Sequence, residues 1–270
     1  MNIRAYVPFA NAGMQSMLAY KWNFLGFSIG EIFFTFVMYF LWKAVFLATP
    51  DGVINGFSML DMTAYIFVAN ITGYLAGTDA LYSVGEEIID GSIAMRLTKP
   101  ISYNLSFMAG EIGSKIIIFC IILVPVFFGV EVFRWTRTGL ILFSPAYFFL
   151  YLLSAGLSFV IQFYFDLCFG YICFILKNIW GLNLLKEGIV NLLSGSLIPI
   201  VFFPGWIRTV LEVMPFASMR FTPVMIYIAK YSGPQIAAAI LVQIAWACLL
   251  WLLSKCIWRI SINHLTIQGG

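Results

Sequence analysis

Long apolar runs separated by short polar stretches are the dominant pattern along the chain. A helix needs about 20 predominantly apolar residues to cross roughly 30 Å of hydrocarbon. Runs such as residues 116–130 do not alternate with a period of two, so the pattern predicts helices rather than the strands of a barrel. We predict six spans, at approximately residues 24–46, 62–83, 107–130, 140–170, 188–204 and 235–258.

Two of these runs are irregular. The fourth contains a single charge, Asp166, and is too long for one straight span, so it is predicted to be kinked, to protrude from the membrane or to consist of two half-spans. We expect Asp166 to bond with Lys177 or to lie at the interface. The fifth run is short and contains Pro199. After it, Arg208 and Glu212 fall on one face opposite apolar residues, which predicts a helix that lies at the interface or re-enters the membrane.

Composition places the chain among integral membrane proteins. Of its 270 residues, 62% are hydrophobic and 10% are charged, and the mean hydropathy is +0.96. A soluble protein carries roughly 25% charged residues, and a water-soluble fold could not cover its surface with so few. These values exclude a soluble enzyme and a disordered chain, and the net charge of +3 gives no reason to expect a nucleic-acid partner. Because no loop is long enough to fold alone, residues 1–270 are predicted to form a single transmembrane domain.

The distribution of basic residues predicts the orientation. An even number of spans puts both termini on one side, and nine of the 15 Lys and Arg residues would then share that side. The positive-inside rule therefore predicts that both termini are cytoplasmic. We expect the membrane to be the plasma membrane of a bacterium. The nine residues are Arg4, Lys21, Arg96, Lys99, Lys115, Lys177, Lys186, Lys255 and Arg259.

The chain has little catalytic chemistry of its own. Its one histidine, His264, lies near the C-terminus, and no GxxxxGK[ST] phosphate loop is present. The five cysteines include no CxxC pair and are predicted to be buried thiols rather than disulfide partners or zinc ligands. We therefore predict no catalytic, cofactor-binding or metal site, and do not expect the chain to hydrolyse ATP by itself.

The most polar stretch, residues 85–100, lies between the second and third spans. Its acids come early and its bases late, which suits the dipole of a helix, and Ile89, Ile93 and Leu97 recur every four residues. Two interpretations remain open. The stretch is either an ordinary solvated loop or a short cytoplasmic helix, broken at Gly91, that is presented to a partner protein.

Three segments resemble permease subunits of type 2 ATP-binding-cassette exporters. Residues 85–102 resemble that family's loop after span two, residues 193–216 are similar to its SG-x-x-x-P…FP-x-W…P-F signature, and the segment ending at Phe24 resembles its start. The resemblance implies an all-α protein with six transmembrane helices, an N-terminal interfacial helix, a cytoplasmic coupling helix after span two and re-entrant helices after span five. The re-entrant region would contain Gly195, Pro199, Pro204, Trp206 and Pro215.

The resemblance also implies a mechanism. Such a permease pairs with a second one, identical or related, and soluble ATPase subunits that bind the ATP drive alternating access for a substrate that here is unidentified. We expect a hydrophobic or amphipathic substrate and contacts with membrane lipid, but none with nucleic acid. The residues expected to contact the ATPase by charge complementarity are Glu86, Glu87, Asp90, Arg96 and Lys99.

Carboxylates inside predicted spans are a second group of candidates, because a charge in the membrane is costly and usually faces a cavity or a partner. Glu31 either lines a transport path or subunit interface, or forms a plain interhelical hydrogen bond. Asp79 has the same candidate role but is close enough to the span's end to reach the headgroups. An ion-coupled secondary transporter that uses Glu31 and Asp79 without an ATPase is an alternative function, and a membrane scaffold without transport is another.

Two GxxxG pairs fall in the first two spans. Gly26 with Gly30, and Gly73 with Gly77, would each form a flat strip that allows another helix to approach closely. The strips are predicted to pack spans together within the chain or, alternatively, to contact a second permease.

Overall fold

A computed structural model describes residues 3–262, so His264 lies outside the described residues. A short hairpin joins the second and third helices, and its strands are β1 (Val53–Ile54) and β2 (Phe57–Ser58). The helices in chain order are α1 (Val7–Ala19), α2 (Lys21–Leu47), α3 (Met59–Ala76), α4 (Ala80–Ile89), α5 (Ile93–Leu97), α6 (Tyr103–Ile118), α7 (Val124–Thr138), α8 (Pro145–Leu176), α9 (Ile179–Leu193), α10 (Gly205–Val213), α11 (Pro215–Met219), α12 (Phe221–Tyr227) and α13 (Gly233–Ser261).

Four helical stretches in the described part of the chain are long and apolar enough to cross a membrane. They are Lys21–Leu47, Tyr103–Thr138, Pro145–Leu176 and Gly233–Ser261. The prediction of an all-helical membrane protein is confirmed. These four stretches overlap the first, third, fourth and sixth predicted spans, whereas the second and fifth predicted spans are interrupted.

The second predicted span, residues 62–83, is divided between α3 and α4. Helix α3 ends at Ala76 and α4 begins at Ala80. In contrast, the third span is longer than predicted, because α6 continues through a π-helical turn (Phe119–Leu123) into α7. Pro125 follows this turn closely. A proline lacks an N–H and its ring clashes with the carbonyl four residues earlier, which accounts for the wider turn there.

The fourth predicted span forms one helix of 32 residues, α8, at the centre of the bundle. Of the three predicted alternatives for this run, two separate half-spans do not occur, because the helix is continuous. Helix α8 packs against α3, α4, α12 and α13. It ends at Lys177, whose backbone is left-handed with a φ of 47°.

The fifth predicted span, residues 188–204, does not form one continuous helix. Helix α9 begins at Ile179 and ends at Leu193. Gly195 then adopts a φ of 79°, and the hydroxyl of Tyr65 donates a hydrogen bond of 2.6 Å to its carbonyl. The segment continues without regular helix to Pro199, because the left-handed glycine and the proline both interrupt an α-helix.

The bundle has two distinct ends. At the hairpin end, which carries β1 and β2, the Asn55 amide donates to the carbonyl of Val201 at 3.0 Å. At the α5 end, the ring of Tyr103 stacks on Trp258 with centroids 5.4 Å apart. Helix α3 begins at the hairpin end with a capping box formed by Ser58 and Asp61.

Helix α1 lies along the first half of α6. Gly13 of α1 and Gly113 of α6 face the partner backbone so closely that a Cβ on either would overlap a carbonyl oxygen. The Tyr6 hydroxyl accepts a 3.0 Å hydrogen bond from the backbone N–H of Ser102. Small residues at such a crossing allow two helix backbones to pack directly.

A buried polar cluster ties α8 to α13 and α11. The amide nitrogen of Gln243 donates to the carbonyl of Ser218 at 2.9 Å and to the carbonyl of Ser154 at 3.2 Å, while the Ser154 hydroxyl donates to its amide oxygen at 2.9 Å. Gln243 has no exposed surface. Its hydrogen bonds link α13 to α8 and α11.

Candidate functional site

The α4–α5 segment contains the residues predicted to contact an ATPase. Gly91 separates the two helices with a φ of 80°, a conformation that favours glycine. The backbone N–H of Ser92 donates to the Asp90 carboxylate at 2.8 Å. This bond, together with one from the Ser92 side chain, lowers the pKa of Asp90. The predicted short helix broken at Gly91 is therefore present.

Glu87 and Arg96 bind each other across this break. The Arg96 guanidinium lies 2.9 Å from the Glu87 carboxylate, which also accepts a 3.1 Å hydrogen bond from the hydroxyl of Tyr103. Arg96 additionally donates to the Ser106 hydroxyl at 3.3 Å and lies over the ring of Phe107. Burial raises the pKa of Glu87, and the charge of Arg96 opposes that rise. The pair thus braces α4, α5 and α6 against one another.

The outward surface of the segment is formed by other residues. Glu86, Asp90 and Lys99 are exposed, so these three predicted contact residues are accessible to a partner. Between them, Met95 is 70% exposed. The predicted apolar side is divided, because Ile93 is buried while Ile89 and Leu97 are exposed. Sequence reasoning did not single out Met95, whose exposure depends on the direction of α5.

A second group of charges surrounds the break between α3 and α4. The ammonium of Lys115, on α6, donates to the carbonyl of Tyr74 at 3.0 Å and to the carbonyl of Gly77. One turn earlier on α6, the Glu111 carboxylate accepts a 2.9 Å hydrogen bond from the backbone N–H of Asp79. Lys115 and Glu111 are 3.9 Å apart. Asp79 itself lies at the break and is exposed.

Asp166 lies on the other side of the same break. Its carboxylate accepts hydrogen bonds of 2.8 Å from the Thr78 hydroxyl and 2.8 Å from the Gln162 amide, and it lies 3.3 Å from the ammonium of Lys186. Asp166 is fully buried and Lys186 is 2% exposed. Asp166 therefore pairs with Lys186 and not with Lys177, because Lys177 follows the end of α8 and α9 brings Lys186 back beside Asp166.

Glu31 is half-buried on α2 and accepts a 3.3 Å hydrogen bond from the amide of Asn70 on α3. Of the two predicted roles, the interhelical hydrogen bond is therefore present. A cavity of about 100 Å³ lies beside it between α2, α3 and α7. The cavity is lined by Ser28, Ile32, Thr35, Phe67, Asn70, Tyr74, Ile122 and Val126.

Residues 32–269 match the family model described as ABC-2 family transporter protein. The match covers most of the chain. The chain belongs to the ABC-2 transporter family. A search of curated proteins found none that matches it.

Membership of this family makes the chain a transmembrane permease component of an ABC transporter, a class that associates with an ATP-binding cassette subunit. The predicted recognition is thereby confirmed. The α4–α5 surface of the permease carries exposed charges of both signs beside an exposed methionine. Charged rims set orientation and partner choice, and methionine adapts to apolar partner surfaces.

The GxxxG strips of the permease do not bring two of its own helices together. Nothing lies within 4 Å of a Cβ position on Gly26 or Gly30, so packing within the chain was wrong for this pair. At Gly73, a Cβ would lie 3.2 Å from the guanidinium of Arg220, so this glycine makes room for an arginine side chain. Gly77 lies at the break, where a Cβ would approach the carbonyl of Gly73 at 2.8 Å.

The region predicted to re-enter the membrane consists of three short helices, α10 to α12. Pro199 is buried and Pro204 precedes α10, where Trp206 is 75% exposed. Arg208 and Glu212 form an ion pair of 2.8 Å on one face of α10. Pro215 is buried at the start of α11. Pro204 and Pro215 thus lie at the starts of α10 and α11, whereas α11 and α12 are separated at Arg220.

The cysteines of the permease are free thiols. Cys168 and Cys173 are buried on α8, but Cys120, Cys248 and Cys256 are exposed, so the prediction of uniformly buried thiols was wrong. In an apolar run, burial against protein and contact with lipid leave the same sequence pattern. Between residues 3 and 262, no group of three or more His, Cys, Asp or Glu side chains is placed to hold a metal ion.

Sequence reasoning missed Lys115, Glu111 and Lys186 as members of a site. Glu111 lies near the end of the third predicted span, where a charge is not unusual, and the two lysines served only to predict orientation. The spacing of Glu111 and Lys115 by one helical turn was a usable signal, since such pairs share a helix face. Their distances to α3 and α4 depend on the packing of separate helices and leave no local signal.

Proposed function

We propose that this permease is one of two permease subunits of an ATP-driven exporter in the cytoplasmic membrane of a bacterium. Both termini lie in the cytoplasm. A separate ATPase subunit docks on the α4–α5 segment and drives alternating access, which moves a hydrophobic or amphipathic substrate outward. The observation that carries the proposal is the exposed α4–α5 surface, held in shape by the Glu87–Arg96 pair in a chain of this family.

Two layers of charge support a membrane position for the bundle. At the hairpin end, Asp61 pairs with Lys230 at 2.8 Å, and Glu131 pairs with Arg134 at 2.9 Å. The other layer surrounds the α3–α4 break. Lys115 and Glu131 lie on one continuous helical stretch, about 24 Å apart at 1.5 Å per residue. That separation is close to the thickness of a hydrocarbon core, roughly 30 Å.

This position supports the six-span arrangement. Helix α3 has 18 residues and is therefore about 27 Å long, enough to join the two layers by itself. Helix α9, together with the non-helical segment and α10 to α12 that follow, accounts for the fifth crossing and for a region that enters from the hairpin end. The α5 end then faces the cytoplasm, where ATP and its ATPase are found.

The outward face of α2 supports the assignment of a second permease subunit. Of the 18 residues in its most apolar stretch, 11% are buried. Gly26 and Gly30 lie open on this helix, and small residues at such positions allow close approach by another helix. In the proposed complex, this face contacts the second permease, which is identical or related, or the surrounding lipid.

The substrate class follows from the interior chemistry. The surface of the cavity beside α2 is mainly apolar, with the polar side chains of Ser28, Thr35, Asn70 and Tyr74 in its wall. The buried hydroxyl of Tyr74 lies beside that of Ser28. An apolar group suits such a wall better than a highly charged solute, because desolvating a charge is costly.

The docking surface can be tested by charge reversal. We expect Glu86→Lys combined with Asp90→Lys to abolish co-purification of the ATPase with the permease, because both side chains are exposed and neither forms the Glu87–Arg96 brace. The measurement is purification of the permease in nanodiscs from its native host, with identification and quantification of every bound chain.

Asp51→Lys is the matched control, since Asp51 is an exposed acid near the hairpin end. It should leave ATPase association unchanged. Association that survives the double reversal at Glu86 and Asp90, or a wild-type permease that carries no ATPase, would contradict the proposed function.

A further inference from the structure

The geometry points to the α3–α4 break as a joint between the α4–α5 segment and the membrane-spanning helices. In this joint, Lys115 and Glu111 are positioning residues that transmit movement of the segment to those helices. This inference rests on the proposed function and deepens it. It assigns a role to two residues outside the docking surface. The transmitted movement is the one that ATP binding by the partner subunit imposes on α5.

The two charges match the two helix ends that they contact. The last carbonyls of a helix lack partners and carry the negative end of its dipole, whereas the first N–H groups of a helix carry the positive end. The Lys115 ammonium donates hydrogen bonds to the last carbonyls of α3, and the Glu111 carboxylate accepts one from a backbone N–H at the start of α4. One turn of α6 therefore carries the charge that suits each of the two helix ends at the break.

The break has no proline to cause it. Sharp helix interruptions usually occur at proline, at glycine or where a side chain inserts into the hydrogen-bond ladder. Residues 75–80 contain no proline, and Gly77 only makes room for the turn, because a Cβ there would approach the carbonyl of Gly73 at 2.8 Å. The side chains of α6 and α8 bind the groups on either side of the interruption, so a shift of those helices changes its stability directly.

Asp166 completes the joint from the opposite side. Thr78, inside the break, donates to Asp166, and Asp166 also binds Lys186 of α9. The break is therefore held between α6 on one side and α8 with α9 on the other. Displacing α4 would break these hydrogen bonds and the ion pair at the same time, which favours two discrete arrangements over gradual bending.

Movement reaches the joint through rigid parts. The Glu87–Arg96 pair fixes α5 to the end of α4, and Tyr103 connects that pair to the start of α6. A displacement of α5 therefore moves α4 as one body up to Ala80. At the joint, the displacement passes to α3 and α6, which continue to the hairpin end.

The test measures movement at both ends of the bundle in the permease–ATPase complex. Spin labels replace Pro100, which lies just after α5, and Leu176 in one sample, and Leu47 and Leu140 in another; all four positions are exposed. The native cysteines are first replaced by serine. Distance changes are recorded between the nucleotide-free complex and the complex trapped with ATP and vanadate.

We expect Lys115→Met to retain the distance change at the α5 end and to lose it at the hairpin end, with ATP hydrolysis continuing. The charge exchange of Glu111→Lys with Lys115→Glu should behave in the same way. That variant keeps an ion pair on α6 but presents the wrong sign to each helix end, so a merely structural ion pair would survive it. Lys115→Arg should retain both changes.

The matched control is Lys43→Met, which alters an exposed lysine on α2 and should retain both distance changes. A hairpin-end change that persists in Lys115→Met or in the charge-exchanged variant would overturn the inference. Hydrogen exchange of the wild-type complex provides a test without substitutions. Trapping should change the exchange rate of amides 77–80 at least fivefold, and an unchanged rate would also overturn the inference.

These outcomes distinguish a failure of the joint from a failure of the proposed function. If no ATPase binds the wild-type permease, the proposed function fails before the joint is tested. If the ATPase binds and both distance changes occur in every variant, the exporter assignment stands and the joint is wrong.

Discussion

Helices α2 and α8 have nearly the same mean hydropathy and are both long enough to cross a membrane, but their surroundings differ. In the most apolar 18 residues of each, 67% are buried in α8 and 11% in α2. Large aromatic side chains illustrate the contrast, since Phe163 of α8 is fully buried and Phe33 of α2 is 70% exposed. Apolar character therefore does not decide which helix occupies the centre.

The destinations of polar side chains explain the difference. On α2, Ser28 and Thr35 each donate a 2.8 Å hydrogen bond to a carbonyl of their own helix. On α8, Asp166 and Ser158 bind groups on other helices, including Lys186 and the carbonyl of Ser218. Lipid tails are as apolar as leucine, so packing shape and interhelical hydrogen bonds select the neighbours of a membrane helix. The polar bonds of α8 place it in the core.

The largest effect is expected from Asp166→Ala. This substitution leaves the ammonium of Lys186 buried without its buried partner, and breaking such a pair costs about 3–5 kcal/mol. Unfolding of the purified permease, followed by circular dichroism during titration with denaturing detergent, measures the loss. Glu31→Ala, on exposed α2, is the comparison and should cost far less.

A leucine on α8 should come next. Leu167 has no exposed surface, and Leu167→Ala is expected to destabilise the permease by about 2–4 kcal/mol because the remaining cavity loses its packing contacts. The same unfolding titration gives the value. A cost below about 1 kcal/mol would mean that α8 is not tightly packed at this position.

The Gln243 cluster should have an intermediate effect. Gln243→Leu is expected to cost about 2 kcal/mol, because the buried hydroxyl of Ser154 loses the amide oxygen that accepts its hydrogen bond and pays its desolvation penalty. Ser154→Ala together with Gln243→Leu should cost less than the sum of the two single changes, since both remove the same bond. Additive costs would contradict the shared cluster.

The smallest effect is expected on α2. Leu41 is 51% exposed, and Leu41→Ala should change the unfolding free energy of the isolated permease by less than about 0.5 kcal/mol. In the assembled complex, a larger cost would locate the second subunit on this face. Equal costs for Leu41→Ala and Leu167→Ala in the isolated permease would contradict the difference in burial between α2 and α8.

Local signals predicted several features correctly. Gly91 interrupts the α4–α5 segment as its sequence context indicated, and the prolines around α10 and α11 separate the short helices of that region. Such predictions succeed because a glycine at positive φ or a proline acts on its own backbone. Of the residues expected to contact an ATPase, Glu87 and Arg96 bind each other, which their positions in the sequence did not indicate.

The break between α3 and α4 was the main feature that sequence reasoning missed. Residues 62–83 form a nearly continuous apolar run, and Gly77 was assigned to helix packing. The break depends on Lys115 and Asp166, which lie on α6 and α8, far along the chain. A helix that ends because another helix stabilises its terminus carries no complete signal in its own residues.

By itself, the sequence determined that this protein is a helical membrane protein, because apolar content and run length are properties of the chain alone. Motifs in its loops indicated the family to which it belongs. The tertiary structure decided which apolar helix is central, which charges form pairs and which remain outside. Those choices depend on distances between segments remote in sequence, and in lipid an apolar run has no preference between a protein neighbour and a lipid tail.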